Sequence, residues 1–178
     1  MMETPLSRRI SFALAYVGFA FTIYFVQLLP LKTVPSVLGK PDVLFVLTVA
    51  WMLRRPDLLP IPVVAFVLLC GDLLLQRPPG LFAGFGLCAL LFLRTRAHEI
   101  RRAGQFTDSL VVWLTLFLVF AVYRLALVIA FLPVPTWTAA LTQAAFSMAL
   151  YPILYWILGP VLGVREVGSR GPDGARVL

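Results

Sequence analysis

Charge is scarce in this chain. Of its 178 residues 13% are Asp, Glu, Lys or Arg, against about 25% in ordinary soluble domains. Histidine occurs once, as His98, so a histidine-based triad or metal site would have to form around one basic stretch. The two cysteines, Cys70 and Cys88, both fall inside apolar runs, and read as small buried hydrophobes, not as a disulfide or metal pair. No GxSxG, HExxH, CxxC or phosphate-cradling glycine loop is present. These absences argue against an enzyme and call for no cofactor.

What the chain does have is apolar length. It is 61% hydrophobic, with a mean hydropathy of +0.95, which defines an all-α, polytopic membrane protein. At about 20 residues per crossing, the length allows five or six helices and no separate soluble domain. The formal charge of +7 fits basic loops at a membrane better than a nucleic-acid partner.

Six spans are expected, at about 10–29, 42–53, 58–75, 80–93, 109–132 and 139–158, as one domain over 1–163. A disordered tail follows over 164–178. The N-terminus runs straight into the first span without a cleavable signal pattern. Pro30 stops that span, and 31–40 reads as an external loop. The second segment opens at Pro41-Asp42, a good helix start. It is plainly apolar for only about 12 residues, or about 18 Å, short of a core of about 30 Å. Either it extends back through 35–39, or it enters the bundle as a broken, partly buried segment. Arg94 to Asp108 reads as a polar loop, in which Glu99 and Asp108, like Asp57 elsewhere, offset nearby arginines.

Loop charge sets the orientation. Six spans place Arg8, Arg9, Arg54, Arg55, Arg94, Arg96, Arg101, Arg102, Arg165, Arg170 and Arg176 on one side, and Lys32, Lys40 and Arg77 on the other. Both termini are therefore expected in the cytoplasm.

Two charges fall inside apolar segments, Asp72 and Arg124. An aspartate at the centre of a membrane helix costs roughly 2.5–3.5 kcal/mol on insertion scales, so it must be paired, face a polar cavity, or be wetted. One reading pairs Asp72 with Arg124 inside the bundle. The other wets each separately at the outer interface. Asp42 is either a helix-start carboxylate or part of an outer cavity with them. Gly71, Gly80 and Gly84 are candidate helix-packing glycines, the last two in GxxxG form. The basic stretch holding Arg94, Arg96, Arg101 and Arg102 is a candidate contact for anionic lipid or a cytoplasmic partner.

The segments PDVLFVLTVAWMLRRPDLLP and GDLLLQRPPGLFAG carry a resemblance. Pro41-Asp42 opens a short second span, Asp72 comes late in the third, and Pro79-Gly80-Leu81 follows. This order, in a small six-span chain, resembles the rod shape-determining protein MreD family over about 42–152. One departure is Leu68, where family members often carry glycine four residues before the aspartate; here Gly71 adjoins it. The resemblance implies a non-enzymatic scaffold or regulator of bacterial cell-wall elongation in the inner membrane. It implies an MreC-like protein, a RodA-like glycosyltransferase and a class B penicillin-binding protein as partners, and MreB filaments indirectly. It further implies six helices arranged like the substrate-binding subunit of energy-coupling-factor transporters, with a cavity open to the outer side. The rival reading from the same polar residues is a vitamin-like small-molecule binding subunit of a transporter.

Overall fold

The computed structural model describes residues 6–29, 39–102 and 104–161. Most of the expected external loop and the whole 164–178 tail lie outside them, as do the side chains of Arg8 and Arg101. The described residues form six helices and no strand: α1 (Leu6–Leu28), α2 (Val43–Arg54), α3 (Ile61–Leu74), α4 (Leu81–Arg102), α5 (Gln105–Ile129) and α6 (Trp137–Val161). Four contain stretches long and apolar enough to cross a membrane: Arg9–Leu28, Leu81–Ile100, Phe106–Ile129 and Trp137–Gly159. α2 and α3 are shorter apolar helices.

α2 is the axis of the bundle. Every residue from Leu44 to Arg54 is buried, and α1, α3, α4, α5 and α6 follow one another around it, with α1, α4 and α6 packing directly against it. A helix apolar on all faces belongs in such a place. Of the two readings of the short second segment, the structure takes the buried one. The helix begins at Val43 and does not reach back to Gly39, because 39–42 is irregular and is held against α6. There the Gly39 amide donates to Thr142 Oγ1 at 2.9 Å and the Asp42 amide to Ser147 Oγ at 3.1 Å. A Cβ at Gly39 would strike the Ala139 carbonyl, so only glycine allows this approach.

Contacts fix the helix directions. Asp42 lies beside Ser147 and Arg54 beside Tyr155, so α2 and α6 run parallel. Tyr16 meets Thr48 and Phe12 meets Trp51, so α1 runs against α2. Asp72 at the end of α3 meets Ala83 at the start of α4, and Asp108 in α5 meets Tyr151 in α6. Consecutive helices therefore alternate in direction. Ten residues, about 15 Å of helix rise, separate Ser147 from the first residue of α6. α2 therefore starts well down the flank of α6.

α6 contains Pro152, which has no amide to give the carbonyl of Met148. The Trp113 indole N–H of α5 donates to that carbonyl at 3.0 Å. In an apolar surrounding such a freed backbone group needs a replacement donor, and here it comes from the neighbouring helix.

The expected polar loop after residue 93 is instead helix. α4 continues to Arg102 because Leu90, Leu93, Ala97 and Ile100 recur at helical spacing on a buried face. Arg96, His98, Glu99 and Arg102 lie exposed, and Arg94 is half-buried. The break comes at Gly104, whose φ of 97° suits glycine, and α5 starts at Gln105, four residues before the expected span. Asp108 is thus a helix residue, 2% exposed, and no loop charge. The cysteines also depart from expectation. Cys70 is half-buried and Cys88 exposed, and both are free thiols.

The glycines divide by role. Gly80 has a φ of 81° and sits in the α3–α4 turn, and Gly84 has open space where a Cβ would go. Neither packs helices as the GxxxG form proposed. The close approaches belong to Gly71, where a Cβ would collide with the Tyr24 hydroxyl, and to Gly86, where it would come within 2.9 Å of the Phe45 ring. Gly86→Leu is accordingly expected to lose about 1–3 kcal/mol by overpacking, while Gly84→Leu stays within about 0.5 kcal/mol of wild type. Unfolding midpoints of the two variants in mild detergent would check this; equal losses would contradict it.

Candidate functional site

Three charged side chains from two segments meet where α2 begins and the α3–α4 turn closes. Asp42 caps α2, its Oδ1 accepting from the Phe45 amide at 3.2 Å. A carboxylate there satisfies an orphan donor and complements the positive end of the helix. Its Oδ2 lies 2.9 Å from the Arg77 guanidinium. That approach is close but off-line, an ion pair and not an aligned hydrogen bond. The side chains of Asp42 and Arg77 are 7% and 21% exposed. Burial opposes the charge on Arg77, but neighbouring Asp42 outweighs it and the guanidinium holds its proton more tightly than usual.

Asp72 is fully buried. Its Oδ2 accepts from the Ala83 amide at 3.0 Å, so a side chain from α3 caps the start of α4. The turn between them wraps tightly: the Arg77 amide donates to the Asp72 carbonyl at 2.8 Å, and Gln76 takes a φ of 54°. This places the Arg77 guanidinium 4.5 Å from the centre of the Phe82 ring, beside Asp42 and near Asp72. Phe82 in turn packs edge-on against Phe45 and Tyr123. Tyr24 of α1 closes one wall, donating to the Val67 carbonyl at 2.8 Å across Gly71. The arrangement is a polar lock: two carboxylates each cap a helix, and one arginine bridges toward both.

The proposed pair of Asp72 with Arg124 does not form. Arg124 donates to the Pro135 carbonyl and lies 3.9 Å above the Trp137 ring. It ties the α5–α6 connection together, holding Pro135 in that connection and Trp137 at the start of α6. The structure brings Asp42 and Asp72 to one place and leaves Arg124 out of it. The cation that sequence reasoning missed is Arg77, assigned there to a loop. Its signal was proximity along the chain, five residues after Asp72 and inside a proline-glycine turn.

A second buried polar cluster occupies the opposite end of α2. Arg54 is 6% exposed and stacks 3.9 Å over Tyr155, and Tyr151 donates to Asp108 Oδ2 at 2.7 Å. Each end of the central helix is therefore anchored by a charged residue, Asp42 at its start and Arg54 at its last turn. Among the described α4 cations, Arg96 lies 3.6 Å from Glu99 in an exposed ion pair, of the kind worth little to stability, and 5.9 Å from the centre of the Phe92 ring. Among the described residues no His, Cys, Asp or Glu group could hold a metal ion.

No family model, curated protein or solved structure matches this chain.

Proposed function

We propose that the chain is an MreD-like scaffold of bacterial cell-wall elongation. In this reading it crosses the inner membrane six times with both termini in the cytoplasm, and it does no chemistry of its own. It docks the membrane helix of an MreC-like protein and, with it, the RodA-like glycosyltransferase and class B penicillin-binding protein. The relation to the binding subunits of energy-coupling-factor transporters belongs to the same reading and rests on the sequence resemblance alone. The alternating helix directions and the skewed arginine count support six crossings.

One observation carries the choice of a scaffold over a small-molecule binding subunit. The two segments that bear the resemblance converge on Asp42, Asp72 and Arg77, where one oxygen of each carboxylate caps a helix and the second Asp42 oxygen faces Arg77, while Asp72 Oδ1 stays buried without a hydrogen-bond partner among the described residues. Residues used in this way set the relation of α2, α3 and α4 to one another. They leave the outer faces of the bundle to meet partners. A ligand site would instead present its charged groups to an opening.

Affinity capture from gently solubilised membranes, read by mass spectrometry and repeated with Arg77→Gln, tests the proposal. Cell-wall synthases and an MreC-like protein are expected with wild type, at severalfold lower yield with the variant. Recovery of an ATPase module with a soluble ligand would replace this reading with the transporter one.

A further inference from the structure

A groove of about 360 Å³ runs between α1 and the start of α3, lined by Arg9, Ile10, Ala13, Leu14, Val17, Pro60 and Val63. Ile10, Ala13, Leu14 and Val17 stand at i, i+3, i+4 and i+7, one face of α1. Pro60 caps the N-terminus of α3 and Val63 lies in its first turn, forming the opposite wall. Every lining residue is apolar except Arg9, which stands at the end of the stripe where the apolar stretch of α1 begins. From Arg9 to Val17 is eight residues, about 12 Å of helix rise. The groove is thus a narrow apolar track entered beside a cation. It lies at the end of the bundle where α1 begins and α2 finishes, the end that also carries Arg55 and, at the close of α4, Arg96 and Arg102.

We propose that this groove seats one acyl chain of an anionic phospholipid, with the lipid phosphate on Arg9. Charge and shape together select that occupant. A guanidinium carries five N–H donors, so Arg9 can take a phosphate oxygen beside the interaction it already has within the chain, and the basic end of the bundle draws anionic lipid toward it. The apolar track fits a hydrocarbon chain and offers a polar molecule nothing to bond. The selectivity must come from the head group, because lipid tails are as apolar as the groove and moving one into it releases little free energy. The site lies at the opposite end of α2 from the Asp42–Arg77 lock, and stands whether or not the scaffold reading holds.

The test is native mass spectrometry of the full chain, delipidated in mild detergent and titrated with phosphatidylglycerol or phosphatidylcholine of identical acyl chains. One phosphatidylglycerol is expected to be retained about fivefold better than phosphatidylcholine, the factor given by one basic contact. Arg9→Gln should erase that preference, whereas Arg96→Gln, with the same charge change on an exposed face of α4, should keep it. Ala13→Phe fills the track and should lower retention of both lipids. Helical circular dichroism of each variant checks that it is folded. Equal retention of the two lipids by wild type, equal losses in Arg9→Gln and Arg96→Gln, or full retention in folded Ala13→Phe would each overturn the proposal.

Discussion

Arg77→Gln is expected to destabilise the folded chain by about 3 kcal/mol, the cost of stripping the partner from a buried charge. Asp42 is 7% exposed at its side chain, and its Oδ2 has the Arg77 guanidinium 2.9 Å away. Glutamine reaches less far and brings no charge, so the carboxylate would be left in an apolar wall formed partly by Phe82 and Phe45. The estimate is at the lower edge of the usual range because Arg77 keeps 21% of its side chain exposed. Asp42→Asn should relieve the effect, since asparagine still caps α2 and needs no counter-charge. The double variant is therefore expected to be more stable than Arg77→Gln alone, with a coupling above about 1 kcal/mol. Denaturant titration in mixed micelles, followed by helical circular dichroism, measures all four corners of the cycle. A loss below about 0.5 kcal/mol for Arg77→Gln would show the pair to be wetted, with the small value of a surface ion pair.

The class of the protein and most of its helices were legible because they follow from local rules. A long apolar run announces a helix of membrane length, and Pro41-Asp42 carries both marks of a helix start. The shortness of α2 was equally plain, since Arg54-Arg55-Pro56 closes it only 12 residues on. Its place at the centre of the bundle was not, because apolarity on all faces says that a helix is covered without saying by what. α4 was cut short for a different reason. Composition around Arg94–Arg102 resembles a loop, while the spacing of Leu90, Leu93, Ala97 and Ile100 is that of a half-buried helix. Periodicity is the better guide where the two disagree. The glycines show the limit of motif reading: Gly80 and Gly84 match a pattern, but Gly71 and Gly86 face Tyr24 and Phe45. Which glycine meets a neighbour depends on helix rotation, and no short motif encodes that. Arg124 was weighed as a partner for Asp72 because both are charges in apolar segments. Depth along a membrane normal cannot distinguish such a pair from two residues on different faces.

Asp72→Ala is expected to cost about 2 kcal/mol, and Asp72→Asn less than half of that. The reason lies in what the carboxylate does. Its Oδ2 accepts the Ala83 amide at 3.0 Å, a donor of the first turn of α4 with no partner inside its own helix. Alanine removes the acceptor and leaves that amide buried, for which a loss of about 1–3 kcal/mol is usual. Asparagine keeps an acceptor oxygen in the same place. Arg124→Gln should lose about 1 kcal/mol or less, the worth of an exposed stack on Trp137. Its effect should add to that of Asp72→Ala within about 0.5 kcal/mol, as independent sites do. Asp72→Ala with Arg77→Gln should not be additive, because the Arg77 guanidinium and the Asp72 carboxylate attract one another and each substitution removes one of those two charges. The two cycles together separate a carboxylate that caps a helix from one that neutralises a distant cation. Coupling above about 1 kcal/mol between positions 72 and 124, with none between 72 and 77, would turn Asp72 toward α5 and remove the lock. The opposite pattern would make the α3–α4 turn the hinge on which the position of α2 depends.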